Sequence, residues 1–158
     1  MGTGRTWDDN WNNVFIKKIF QDTQLKDLML IPEDKYHKLV SFRDKYFIRD
    51  VEADELLTDE KVRVIYYEEK GIKFGNPNVL KKYLCFDIYV KKDEQYNADV
   101  QSGMKERTKL ISERIRHLLT DERHVYHMSF SFEDSFDLKS KVVGYVRYHL
   151  LMSYKITI

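Results

Sequence analysis

Tyr83-Leu84-Cys85-Phe86-Asp87-Ile88-Tyr89-Val90 is the stretch on which the fold turns. Side chains alternate across a strand, so Leu84, Phe86, Ile88 and Val90 share one face. That face is wholly apolar, which marks it as the core side. Tyr83, Cys85, Asp87 and Tyr89 share the other. Asp87 therefore needs either water or a nearby Lys or Arg, because burying it unpaired is costly. A polar gap follows, Lys91 to Gly103, and then a helical pattern from Ser102 to Leu119, with Asp99 or Ser102 as its cap. Met104, Ile111, Ile115, Leu118 and Leu119 trace one stripe at the 3.6 period. The charged residues Lys105, Glu106, Lys109, Glu113, Arg114 and Arg116 fall mostly elsewhere. Strand stripe and helix stripe each need a partner, and the simplest partner is each other.

Working outward from this pair, Thr6 or Asp8 caps a first helix reaching Phe20. Its stripe is Trp7, Trp11, Phe15 and Ile19, widened by Val14. A shorter apolar patch runs from Leu25 to Ile31, and Pro32 closes it, since the residue before proline avoids the helical region. Glu33 to Asp59 mixes aromatics with many charges and carries a short strand near Tyr46 to Arg49. Val62 to Tyr67 is β-branched and aromatic, hence a strand. The glycines and Asn76-Pro77-Asn78 mark a long loop, Glu69 to Val79, leading into the central strand. Beyond the long helix, Tyr126, Met128, Phe130 and Phe132 alternate with polar residues as a further strand, and Asp134 to Lys141 connects onward. Val142 to Ile158 forms the last strand, with Val142, Val146, Tyr148, Leu150, Met152, Tyr154 and Ile156 in phase toward the core. The order helix, strand, strand, helix, strand, strand predicts an α+β fold in one domain, residues 1–158. Its sheet would be antiparallel or mixed and four-stranded, with helices packed on one face.

Composition bounds the function. A chain of 158 residues with 42% hydrophobic and 34% charged residues is globular and large enough for a real core. Its formal net charge of +1 lacks the basic excess of a dedicated nucleic-acid binder. The lone Cys85 cannot form an internal disulfide and fits a reducing compartment. No apolar run is long enough to span a membrane, and Met1 to Asn10 has no signal-peptide core. Met1-Gly2-Thr3-Gly4-Arg5-Thr6 fits the N-myristoylation template, a pattern short enough to arise by chance.

Chemistry-bearing constellations are sparse. The histidines are His37, His117, His124, His127 and His149, and no pair has zinc-site spacing. No metal, cofactor or catalytic residue is expected. Glu68-Glu69-Lys70 with Asp87 would be the carboxylate and lysine set of a small metal-dependent nuclease, the first rival reading. Arg107, Lys109, Arg114 and Arg116 on one helix would serve a nucleic-acid-binding module, the second rival, although Glu106 and Glu113 dilute that face. Gly71 and Gly75 do not form a phosphate loop, and Ser129 and Ser131 lack a nucleophile elbow.

The run Leu84 to Val90, the amphipathic helix after its polar gap, and the Tyr- and Leu-rich final strand from Gly144 to Tyr154 resemble the tail terminator proteins of long-tailed bacteriophages. These are also called head–tail joining or minor tail proteins. The likeness covers most of the chain, from the helix at Trp11 to Ile19 through Tyr154. It implies no enzymatic activity and no cofactor. It implies a ring, sixfold in that family, that ends tail-tube growth and joins tail to head. The partners would be other copies of the chain, the tail-tube protein and a head-completion or connector protein. The resemblance implies no membrane and no sequence-specific nucleic acid, although DNA would pass through the ring. The location would be the tail and neck of the virion, after assembly in the bacterial cytoplasm. The residues themselves suggest the contact surface. Val143, Tyr145, Arg147, His149 and Leu151 form a row with more Tyr, Arg and Leu than a solvent face needs. Tyr83, Asp87 and Tyr89 would extend it. Lys73, Phe74 and Asn76, in the long loop, would dock on the tail tube or a neighbour.

Overall fold

The computed structural model describes residues 7–32, 39–49, 60–73, 79–98, 105–120 and 130–157. Within them the elements are α1 (Trp7–Gln21), α2 (Thr23–Leu28), α3 (Leu39–Lys45), β1 (Phe47–Arg49), β2 (Val62–Lys73) and β3 (Val79–Lys91). A 3-10 turn follows at Lys92–Glu94, then α4 (Arg107–Thr120), β4 (Phe130–Leu138) and β5 (Tyr145–Thr157). The strands form one five-stranded sheet in the order β1-β2-β3-β5-β4. β3, the strand that carries Tyr83 to Val90, is thus the middle of the sheet. All pairings are antiparallel except β1 with β2, which is parallel, so the sheet is mixed. The α+β class stands, but the expected four strands become five, and α2 and α3 are added to the expected element order.

All four described helices pack on one face of the sheet. Leu84, Phe86, Ile88 and Val90 from β3 meet Ile111, Ile115, Leu118 and Leu119 from α4 in one buried cluster. Phe86 and Ile111 are both fully buried, as strand and helix stripes require. From α1, Phe15 and Ile19 join that cluster with Ile16, whereas Val14 is 40% exposed. The stripe therefore widens on the Ile16 side, not the Val14 side. The side chains of Trp7 and Trp11 and the residue Met104 lie outside the described ones.

The stretch from Glu33 to Asp59 contributes more to the core than its charge suggested. Phe42 of α3 stacks on Phe47 of β1 with ring centroids 5.8 Å apart, and Phe20 meets Phe42 edge-on at 5.4 Å. Phe15 then lies 6.0 Å from Phe47, 5.4 Å from Tyr66 and 6.0 Å from Phe86. Tilted and edge-on rings at these separations add to the area they bury. Aromatics from α1, α3, β1, β2 and β3 thus lock the β1 edge to the helices.

α2 ends with a Schellman turn. Leu30 N–H donates to the Asp27 carbonyl and Ile31 N–H to the Lys26 carbonyl, with Leu30 at φ 57°. Glycine usually occupies this left-handed position. Leu30 tolerates it while packing against the core cluster. The break expected near Ile31 therefore falls slightly earlier.

Three boundaries move. Of the stretch expected as a long loop, Glu69 to Val79, the described residues are strand: β2 continues to Lys73 through an irregularity between Glu69 and Ile72, and β3 begins at Val79. Asp134 to Leu138, expected as a connection, continues β4 after a bulge between Phe132 and Asp134. An edge strand pairs on one side only, so its polar side chains stay in solvent while its backbone is held. The last strand starts at Tyr145 because Gly144, at φ 85°, turns the chain just before it.

Candidate functional site

Among the described residues, the second face of the sheet, away from the helices, carries a buried polar network centred on Asp87. Register builds it. Asp87 of β3 lies directly opposite His149 of β5, and Arg147 is one same-face step away, opposite Tyr89. The Asp87 carboxylate accepts from Arg147 Nη2 at 2.9 Å through Oδ2, and Oδ1 lies 2.7 Å from His149 Nδ1. Asp87 is 6% exposed and His149 8%. Phe136 of β4 covers the imidazole, ring centroids 5.1 Å apart. The Arg147 guanidinium sits 5.8 Å from the centroid of Tyr89. Ile65, Tyr89 and Tyr145 form a small apolar cluster beside these charges.

The electrostatics follow from burial and pairing. Burial raises the Asp87 pKa, but the hydrogen bonds from His149 and Arg147 and the charge of Arg147 outweigh it and hold the carboxyl below its ordinary range. An ionised Asp87 has only acceptors, so His149 Nδ1 is the donor of the hydrogen bond between them. The Tyr67 phenol is pushed upward by burial and then by the Asp87 charge. Burial, then the charges of Glu69 and Asp87, pushes the Cys85 thiol up to about 12. The thiolate is the reactive form of cysteine, so Cys85 stays an inert buried thiol. Arg147 Nε is buried with no hydrogen-bond acceptor among the described residues. The Asp87 carboxylate thus ties Arg147 and His149 together across the β3–β5 pair and orders this sheet face.

The residues proposed for contact with neighbours divide by exposure. Asp87, Tyr89, Tyr145 and His149 are buried inside the subunit. Tyr145 donates its hydroxyl hydrogen to the Glu60 carbonyl at 2.6 Å. Arg147 is held by Asp87, and Tyr83 and Leu151 are half-buried. Val143 is 99% exposed at the β4–β5 turn. Lys73 ends β2. Phe74 and Asn76 lie outside the described residues.

The nuclease set does not assemble. Glu68 sits opposite Leu84, hence on the helix side, and accepts from Tyr154 Oη at 2.7 Å. Asp87 points to the opposite face. Among the described residues, no three His, Cys, Asp or Glu side chains are placed to share a metal ion. The basic helix face is likewise occupied. Arg107 is buried and donates to the carbonyls of Glu94 and Leu28 and to Asn97 Oδ1. Arg114 binds Asp22, Lys109 binds Glu106, and Arg116 lies 3.9 Å over the Phe132 ring. His117 is exposed on α4, and His37, His124 and His127 lie outside the described residues. No described helix is long and apolar enough to cross a membrane.

The Asp87–Arg147–His149 network was half legible. An aspartate in the middle of a core strand announces that it needs a partner. Naming the partner requires the β3–β5 register, which the sequence does not state. The polar plug at the start of α4 gave no signal at all. There Gln95 Nε2 donates to Thr108 Oγ1, Thr108 N–H donates back to Gln95 Oε1, and Arg107 caps the set. No family model and no curated protein matches the chain.

Proposed function

We propose that this chain is a structural protein that works by self-assembly and docking. More narrowly, we propose a tail terminator or head–tail joining protein of a long-tailed bacteriophage. It would form a ring at the head-proximal end of the tail, stop tube growth and join tube to head. The observation that carries this reading is the build of the sheet around β3. Helices cover one side of the sheet, and a buried charged network stiffens the other. The titratable groups gathered there are engaged with one another, as suits a scaffold whose work is done by its outer surface. The resemblance of Leu84 to Val90, the following helix and the final strand to that family supports the same reading.

The test is direct. Purified protein is run by size exclusion with light scattering, alone and with tail tubes of the cognate phage, and the tubes are imaged by electron microscopy. Rings at one end of tubes of uniform length support the proposal. Metal-dependent cleavage of DNA by the purified protein, abolished by chelation, would replace it with a nuclease reading.

A further inference from the structure

The β4–β5 turn, with the 3-10 turn after β3, encloses an open groove of about 550 Å³. Three lysines line it: Lys92, Lys139 and Lys141. All three are exposed, and none makes an ion pair or side-chain hydrogen bond among the described residues. Asp137 is the one carboxylate among the lining residues. Leu138, Val142 and Val143 supply an apolar strip, with Val143 at its outer end and 99% exposed. Three lysines against one carboxylate, beside an exposed apolar strip, fit an acidic segment that also carries apolar residues.

The chain contains one segment of that chemistry. Asp50 to Asp59 holds Asp50, Glu52, Asp54, Glu55 and Asp59, no cation, and the pair Leu56-Leu57. It leaves β1 at the sheet edge opposite β4 and runs into Glu60, whose carbonyl accepts from the groove-lining Tyr145. We infer that the Lys92–Lys139–Lys141 groove of one copy receives the acidic Asp50–Asp59 segment of a second copy. A contact between two different surfaces repeats head to tail and closes into a ring when the rotation divides the circle. This deepens, and rests on, the proposal that the chain assembles into a ring.

The experiment is a charge swap read by sedimentation. One variant is Lys92→Glu/Lys139→Glu/Lys141→Glu, the other Glu52→Lys/Asp54→Lys/Glu55→Lys. Each alone should stay monomeric where wild type associates, and an equimolar mixture should associate again, because each groove then meets an opposite charge. Association of the groove variant like wild type, or a mixture that stays monomeric, overturns the inference. A fluorescent peptide of residues 50–59 gives a second readout that does not need the ring. It should bind wild type and weaken by roughly tenfold or more against the groove variant, since attraction becomes repulsion. A monomeric wild type that binds the peptide sinks the ring and keeps the groove's preference. An oligomeric wild type indifferent to peptide and to groove reversal keeps the ring and sinks this contact. A duplex DNA oligonucleotide that displaces the peptide and binds more tightly assigns the groove to nucleic acid and overturns the inference too.

Discussion

At the residue scale the protein turns on Asp87. Its carboxylate is buried and held by Arg147 and His149. Removing one member of a buried pair leaves the other charge uncompensated, which costs far more than the pair itself contributes. Asp87→Asn should therefore destabilise the fold by about 3 kcal/mol in denaturant melts. The double variant Asp87→Leu/Arg147→Leu should cost less, because neither charge is then stranded. Equal losses for the two would mean that the face is held by packing and not by this pair. Here the sequence carried the problem and not its answer: the odd positions of Tyr83 to Val90 show a misplaced carboxylate, but only register brings His149 across from it.

At the element scale, Asp22 joins two helices that are far apart in sequence. Its Oδ2 accepts from Leu25 N–H at 2.8 Å, capping α2, and from Arg114 Nε of α4 at the same distance. Burial raises its pKa, but Arg114 and the Leu25 amide outweigh burial and hold it below the ordinary value. A carboxyl depressed in the folded state stabilises fully above its unfolded pKa, about 4, and loses that contribution as pH falls through the folded value. Asp22→Ala should cost about 1–2 kcal/mol at pH 7 through the lost cap and ion pair. The gap between variant and wild type in urea melts should shrink on acidification below about pH 4. A gap that stays constant down to pH 2.5, about one and a half units below the unfolded value, would mean that Asp22 acts by shape alone. The elements most legible in sequence were those with long periodicity: α1, β3, α4 and β5. β1, three residues at Phe47–Arg49, falls within the short strand expected near Tyr46 to Arg49, although it is too short for a period to show. The end of β4 is polar because it is an edge, so alternation stopped before the strand did. α3 was hidden because one buried residue, Phe42, carries its packing amid charges.

At the scale of the whole molecule, the pairing of β3 with α4 was readable because both stripes are uninterrupted. What the second sheet face does was not readable. A row of Tyr, Arg, His and Leu reads the same whether it meets a neighbour or closes on its own subunit. Burial separates these cases and decides which substitution can test assembly. Tyr145 is 6% exposed and donates to the Glu60 carbonyl, and Arg147 is locked to Asp87. Tyr145→Glu or Arg147→Glu would thus place a charge where the monomer has no room for it, at a cost of several kcal/mol. Loss of assembly in those variants would report unfolding. Val143 stands outside, 99% exposed at the groove, so a charge there costs the monomer within about 0.5 kcal/mol. Val143→Glu should melt like wild type and still weaken association, because it sets a carboxylate where an acidic segment has to dock. Val143→Lys should melt alike and associate at least as well as wild type. Sedimentation of the two variants side by side reads the difference. Equal association would mean that the turn lies outside the contact between copies.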